Sequence, residues 1–245
     1  MEEKLAVKEN AFEILDRQLG NRAKKNQYGI VFVGSATDAY MPVEKDLKKT
    51  EGFLKLILKH RFPIYLSTKR ELILRDIDLL KEIDQAAILP DDLKGKLTHG
   101  AILTTSVSAM SNEIAETLEP GALLPQERMK IIRRLKQEGF FVGVNAIPVL
   151  PFISDTKEEL EKIISSAKEA EADFVFVGGL TLFGNGVADS KTLYFKFLER
   201  KFPHLISSYE QLYGDKFYPP YWHQNQLKKL TDELCAKYQI RNSVI

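Results

Sequence analysis

Apolar and polar positions follow two alternating periods along this chain. Compact blocks rich in β-branched and aromatic residues recur at 30–34, 63–68, 101–107, 140–147 and 173–178, and each reads as a buried strand. Between them, apolar residues spaced at 3.6 predict helices over 43–59, 72–82, 125–138 and 156–170; Leu160, Ile163, Ile164 and Ala167 make one face of the last. A short extended piece, Lys4–Lys8, and a helix from about Asn10 to Leu19 come before the first strand. Such βα repetition implies a parallel sheet with right-handed crossovers. After Thr181 the pattern turns helical, with Tyr194, Phe195, Phe197 and Leu198, then Tyr209, Leu212 and Tyr213 on apolar faces. The expected organisation is a barrel-like part over residues 1–186 and a helical extension, 187–245, packed on it as a cap.

Composition narrows the picture. At 245 residues, 44% of them apolar, the chain suits an α/β domain of ordinary barrel size with a sizeable core. A formal net charge of +1 supplies no global field for nucleic acid. No apolar run approaches the roughly 18 residues of a membrane span, and no secretory signal opens the sequence. A single cysteine, Cys235, excludes an internal disulfide framework. The expectation is a cytoplasmic protein with no membrane partner.

In parallel α/β folds, ligands sit at the carboxyl ends of the strands. Gly34-Ser35-Ala36-Thr37-Asp38-Ala39-Tyr40 ends the first strand, Lys69 the second and Ser106 the third. Asn145 falls within the fourth, followed by Pro148, and Gly178-Gly179 closes the fifth. Hydroxyl, carboxylate and ammonium groups recurring around one rim predict a ligand with hydroxyls and a carboxylate or phosphate.

Gly34, Thr37, Asp38, Tyr40, Pro42 and Glu44 are similar to the Gly-x-x-Thr-Asp-x-Tyr-x-Pro-x-Glu segment of the radical S-adenosylmethionine family related to spore photoproduct lyase, with Ala39 where the family usually has proline. Thr68-Lys69, Arg75-Asp76-Ile77, Ser106, Leu118-Glu119-Pro120-Gly121, Arg128 and Pro148-Val149-Leu150-Pro151 follow in family order. The resemblance covers roughly residues 4 to 185 and implies a partial (β/α)6 TIM-like barrel whose first strand is missing here. It implies S-adenosylmethionine as cofactor, with Ser35, Thr37, Asp38, Tyr40, Lys69, Ser106, Asn145 and Gly178 around it. Lys69 would meet the methionyl carboxylate or a ribose oxygen, and Ser106 the same region. Thr37 and Asp38 would hold the amino group or ribose hydroxyls, and backbone at Ala146, Ile147 and Gly178 would pack against adenine.

The family also holds a [4Fe–4S] cluster on three cysteines spaced C-x3-C-x2-C, thiolate being the ligand such clusters require. Cys235 stands near the far end in an apolar helical setting and reads as a small core hydrophobe. The resemblance places the cysteine loop upstream of a segment like Glu3–Ala11, which predicts that Met1 is an internal or replaced start and that the cluster belongs to the full-length protein. Reductive cleavage there would give a 5′-deoxyadenosyl radical that abstracts hydrogen from an unknown substrate, with flavodoxin or ferredoxin as reductant. A naturally cluster-free S-adenosylmethionine-binding barrel is an alternative, and a Schiff-base aldolase using Lys69 is another. A missing first strand would leave an open sheet edge, covered by the chain's own N-terminal residues or by dimerisation.

Other conspicuous groups receive structural readings. Glu119 and Arg128 are expected to pair and hold a loop. Arg75, Asp76 and Asp78 stand at a helix start, where capping is expected. His60, His99, His204 and His223 lack metal-ligand spacing. The glycine-rich run Gly178–Gly186 reads as a mobile loop. Tyr218-Pro219-Pro220-Tyr221-Trp222 is expected to anchor the cap to the barrel, with base stacking as the alternative; nucleic acid has little other support.

Overall fold

The computed structural model describes residues 8–245; the extended piece expected at Lys4–Lys8 lies outside them, Lys8 apart. Helix α1 (Ala11–Ala23) leads into β1 (Val31–Val33), α2 (Glu44–Leu47), α3 (Lys49–Lys59) and β2 (Ile64–Ser67). A 3-10 turn (Glu71–Asp76) precedes α4 (Ile77–Ala86) and β3 (Ala101–Ser106), and then come α5 (Asn112–Leu118), α6 (Pro125–Gln137) and β4 (Phe141–Val149). The chain ends with α7 (Lys157–Glu169), β5 (Phe174–Gly179), α8 (Ser190–Lys201), a 3-10 turn (Pro203–Leu205), α9 (Ile206–Tyr213) and α10 (Tyr221–Tyr238). The strands form one sheet in the order β1-β2-β3-β4-β5. β1 pairs parallel with β2, β2 with β3, and β4 with β5. The α/β class and the parallel pairing are as the sequence predicts.

The chain divides into two compact units, one of residues up to Thr104 with Arg134–Val142 and Ile245, the other of Thr105–Arg133 with Gly143–Val244. In the first, Ile64 and Leu66 of β2 are fully buried, as are Leu54 of α3, Ile73 and Leu80. The alternate residues face the other way: Tyr65 and Ser67 are only half-buried, and Phe32, at 63% exposure, stacks on Tyr65 with centroids 4.9 Å apart. β1 is the terminal strand of the sheet, and this is the edge the sequence expects to lie open.

The expected single helix 43–59 is broken. Lys48 takes a left-handed conformation, φ 49°, and divides α2 from α3. Glu44 explains the break: its carboxylate accepts the backbone N–H groups of Lys49 (2.9 Å) and Thr50 (3.0 Å), satisfying α3's first donors from five and six residues back. The expected helix 72–82 likewise starts as a 3-10 turn before α4.

In the second unit, Leu160, Ile163, Ile164 and Ala167 of α7 are all fully buried, the face the 3.6 period marks. Leu150, Leu180, Leu182, Leu198, Tyr209, Leu212 and Tyr213 form one core cluster that seats α8 and α9. α10 packs on α7 and β5, and beyond it the Arg241 carbonyl accepts the Val175 N–H at 2.8 Å, covering part of the β5 edge. Cys235 is buried in α10, and burial pushes its thiol up to about 11. The aromatic run is not the expected anchor: Tyr218, Tyr221 and Trp222 are 55%, 81% and 60% exposed. No helix among the described residues is long and apolar enough to cross a membrane.

Arg128 of α6 is 1% exposed. It donates from Nε to the Leu123 carbonyl (2.7 Å) and from Nη1 to the Ser106 carbonyl (2.6 Å), and pairs with Glu119 at 2.5 Å, the pairing the sequence predicts. One side chain thus ties the end of β3 to the loop between α5 and α6. Replacing Glu119 by alanine strips a buried guanidinium of its carboxylate and should cost about 3 kcal/mol in chemical denaturation. A loss below about 1 kcal/mol would show the pair to be dispensable.

Candidate functional site

The loop after β1 is built from the backbone outward. Gly34 has φ +89°, and a Cβ there would stand 2.3 Å from the Ser67 carbonyl oxygen, so the loop crosses the end of β2 too closely for a side chain. Asp38 then locks it. Its Oδ1 accepts the Tyr40 N–H (2.8 Å) and the Thr68 hydroxyl (2.6 Å), and its Oδ2 accepts the Lys69 N–H (2.8 Å). Three donors, from the loop after β1 and the end of β2, converge on one carboxylate. Thr68 Oγ1 in turn accepts the Arg70 N–H at 3.1 Å. Asp38 therefore shapes the rim and holds Lys69 beside the loop, rather than reaching for a ligand itself.

Tyr40, expected among the cofactor contacts, is 1% exposed and belongs to the core. Its hydroxyl donates to Asp76 Oδ2 at 3.0 Å. Burial, then Asp76, holds the phenol well above its ordinary pKa. Arg75 binds Asp76 through Nε (2.8 Å) and Nη2 (2.9 Å) and reaches the Glu44 carboxylate at 3.1 Å. Asp76 makes no side-chain cap at α4; a buried network takes the place of the expected capping. Thr50 closes it by donating to the Ala39 carbonyl. The residues left facing outward are Ser35, Ala36 and Thr37, all exposed, with Lys69 half-buried next to Asp38.

In the second unit, Ser106 donates from Oγ to the Ile147 carbonyl at 3.0 Å while Arg128 holds its own carbonyl. Val107 N–H donates to the Asn145 carbonyl at 2.9 Å, so the end of β3 lies beside Asn145 in the middle of β4. Asn145 is buried at 9% exposure. Gly178 is half-buried, and the space a Cβ would fill there is approached by Ile147 Cγ1 at 3.0 Å, so the glycine lets that β4 side chain pack close.

His60, His99 and His223 are each paired to an aspartate, Asp16, Asp84 and Asp155. Among the described residues no group of three or more His, Cys, Asp or Glu side chains could hold a metal ion. Burial raises the Asp155 carboxyl above its ordinary value, against the lowering pull of the Phe152 N–H and His223. The sequence singles out neither Asp155 nor its pairing with His223; the two lie on separate elements, and a sequence pattern carries no sign of their contact.

No family model matches the chain. An uncharacterized protein of Mycobacterium tuberculosis is 26% identical over 236 residues, 96% of this chain and 64% of its own length. One of Methanocaldococcus jannaschii is 26% identical over 164 residues, 67% of this chain and 53% of its own. The chain thus spans less than two thirds of the length of these relatives. Among solved structures, spore photoproduct lyase complexed with dinucleoside spore photoproduct aligns with a TM-score of 0.62 over 93% of this chain and 64% of that one, at 10% identity. Streptococcus suis SuiB bound to S-adenosylmethionine aligns with a TM-score of 0.50 over 84% of this chain and 43% of its own, at 9% identity. At such identities the likeness is one of fold, and the fold is the one the sequence resemblance implies.

Replacing Asp38 by alanine removes three hydrogen bonds to a charged acceptor and should cost about 3 kcal/mol. Asparagine, which presents an N–H₂ group where a donor already stands, should recover less than half of that. Tyr40→Phe should cost about 1 kcal/mol, because Arg75 still satisfies Asp76. Denaturant titration checks all three; equal stability of the Asp38→Ala and Tyr40→Phe proteins would remove Asp38 from its place as the lock.

Proposed function

We propose that this chain is the S-adenosylmethionine-binding core of an enzyme related to spore photoproduct lyase. One observation carries the reading: an exposed polar loop, Ser35–Thr37, locked by Asp38 beside Lys69 at the carboxyl ends of two parallel strands, on a fold shared with that lyase. The Lys69 ammonium takes the methionyl carboxylate, for which a charge-assisted bond is the strongest single contact available. Ser35 and Thr37 hydroxyls meet the amino group or ribose. Asp38 is the positioning residue and Tyr40 part of its support. Ser106 and Asn145 are assigned to the ribose side, and backbone at Ala146, Ile147 and Gly178 to adenine.

The residues described do not fit a [4Fe–4S] cluster. Three thiolates are needed, and the chain has one cysteine, buried in α10 with its thiol pushed up to about 11. For this chain the proposal is therefore binding and orientation of S-adenosylmethionine. Radical formation and hydrogen abstraction, with a flavodoxin- or ferredoxin-type reductant, enter it only for a protein that supplies the cluster ligands. Residues 187–245 are proposed as a cap on the barrel, seated through the α8–α9 core cluster.

Calorimetric titration with S-adenosylhomocysteine tests the reading without cluster chemistry. Binding is expected, weakened about tenfold by Lys69→Ala, the equivalent of about 1.4 kcal/mol. Tyr40→Phe should leave the affinity within about twofold, since that hydroxyl faces the core. A dissociation constant insensitive to Lys69 would overturn the assignment.

A further inference from the structure

Asp155 and His223 form a dyad that the S-adenosylmethionine reading does not use. His223 Nε2 stands 3.0 Å from Asp155 Oδ2, and Asp155 Oδ1 accepts the Phe152 N–H at 2.7 Å. The two side chains are only 11% and 13% exposed. Phe152 and Trp222 meet the imidazole edge-on, with ring centroids 6.5 and 5.5 Å from it. A carboxylate can only accept, so Nε2 carries the proton that bonds it, and in the neutral ring Nδ1 is left as an acceptor. Among the described residues Thr105 Oγ1 alone is a buried side-chain polar atom without a partner. Nδ1, bonded to no described group, therefore reaches solvent.

His223 also lines a cleft of about 380 Å³ between the carboxyl end of β5 and the segment that opens α10, a volume that suits a small ligand. Phe176 and Tyr218 line it with rings 45% and 55% exposed. Its charged groups are paired with each other, Lys228 to Asp232 at 2.7 Å, and Gln224 is tied to the Pro219 carbonyl at 2.7 Å. Two exposed aromatic rings, an imidazole and no uncompensated charge define what fits: a neutral ring with a donor on its edge.

We propose that this cleft binds an aromatic ring carrying a hydroxyl or N–H donor, the ring lying against Phe176 and Tyr218 and the donor bonded to His223 Nδ1. Asp155 is the positioning residue that keeps the proton on Nε2 and so keeps Nδ1 an acceptor. The cleft also reaches Gly178, one of the residues offered to the cofactor, and is therefore tested without cofactor.

The test is a ¹⁹F NMR titration of the full chain with 4-fluorophenol and with 4-fluoroanisole, which keeps the ring and lacks the O–H. The phenol should bind about tenfold more tightly than the ether, the discrimination expected of one hydrogen bond to an oriented acceptor. Asp155→Asn, which keeps the acceptor for Phe152 N–H but turns a donor toward Nε2, moves the ring proton to Nδ1. It should reduce the discrimination to within about twofold while leaving the ether's affinity unchanged. Tyr218→Ala, at an exposed position remote from folding, should weaken both probes alike and decides the ring contact even if the Asp155 variant does not fold. Equal affinity of the two probes for the unmodified chain, or no binding of either, would overturn the proposal. Displacement of the phenol by S-adenosylhomocysteine would overturn it too, by giving the cleft to the cofactor.

Discussion

The Asp38 carboxylate is the constraint on which the rest of the candidate site depends. It gathers the Tyr40 N–H, the Thr68 hydroxyl and the Lys69 N–H within 2.8 Å, and in doing so fixes the exit of β1 onto the exit of β2. Gly34 makes the crossing sterically possible, and Asp38 makes it stable. The polar groups left outward, Ser35, Thr37 and Lys69, owe their placement to that lock and not to local propensity.

Around it stands a second layer that is ionic and buried. Tyr40, Asp76, Arg75 and Glu44 form a continuous chain of bonds that ends at the first N–H groups of α3. Arg75 pairs with both buried carboxylates, and its loss would leave Glu44 and Asp76 without a cation. In the second unit Arg128 plays a comparable part on fewer partners, tying the Ser106 carbonyl to the Leu123 carbonyl and Glu119. Both units thus spend buried charge on the carboxyl ends of strands, where a ligand site needs rigid walls.

Much of this was legible before any coordinates. The apolar blocks mark all five strands, and Leu160, Ile163, Ile164 and Ala167 mark the buried face of α7 because period and burial coincide there. The pairing of Glu119 with Arg128 was legible as well. The rest depends on contacts across the fold. The break at Lys48 comes from a carboxylate four residues earlier that caps α3 against the helical period. Tyr40 reads as a rim residue until its partner, Asp76, is seen to lie on another element. That the missing Cβ of Gly178 makes room for Ile147 is likewise visible only in the fold. Tyr218, Tyr221 and Trp222 read as an anchor by composition, but all three rings stand exposed. The Asp155–His223 pair has no sequence signal at all.

The central claim is that the rim locked by Asp38 is where S-adenosylmethionine binds. The most direct measurement is a crystal structure of the chain with S-adenosylhomocysteine, refined without reference to any placed ligand. The account predicts density for the amino-acid end of the ligand against Ser35, Thr37 and the Lys69 ammonium, with the Asp38 bonds to Tyr40, Thr68 and Lys69 intact. Ligand density away from that loop, or an Asp38 carboxylate swung out of its three bonds to contact the ligand, would contradict it.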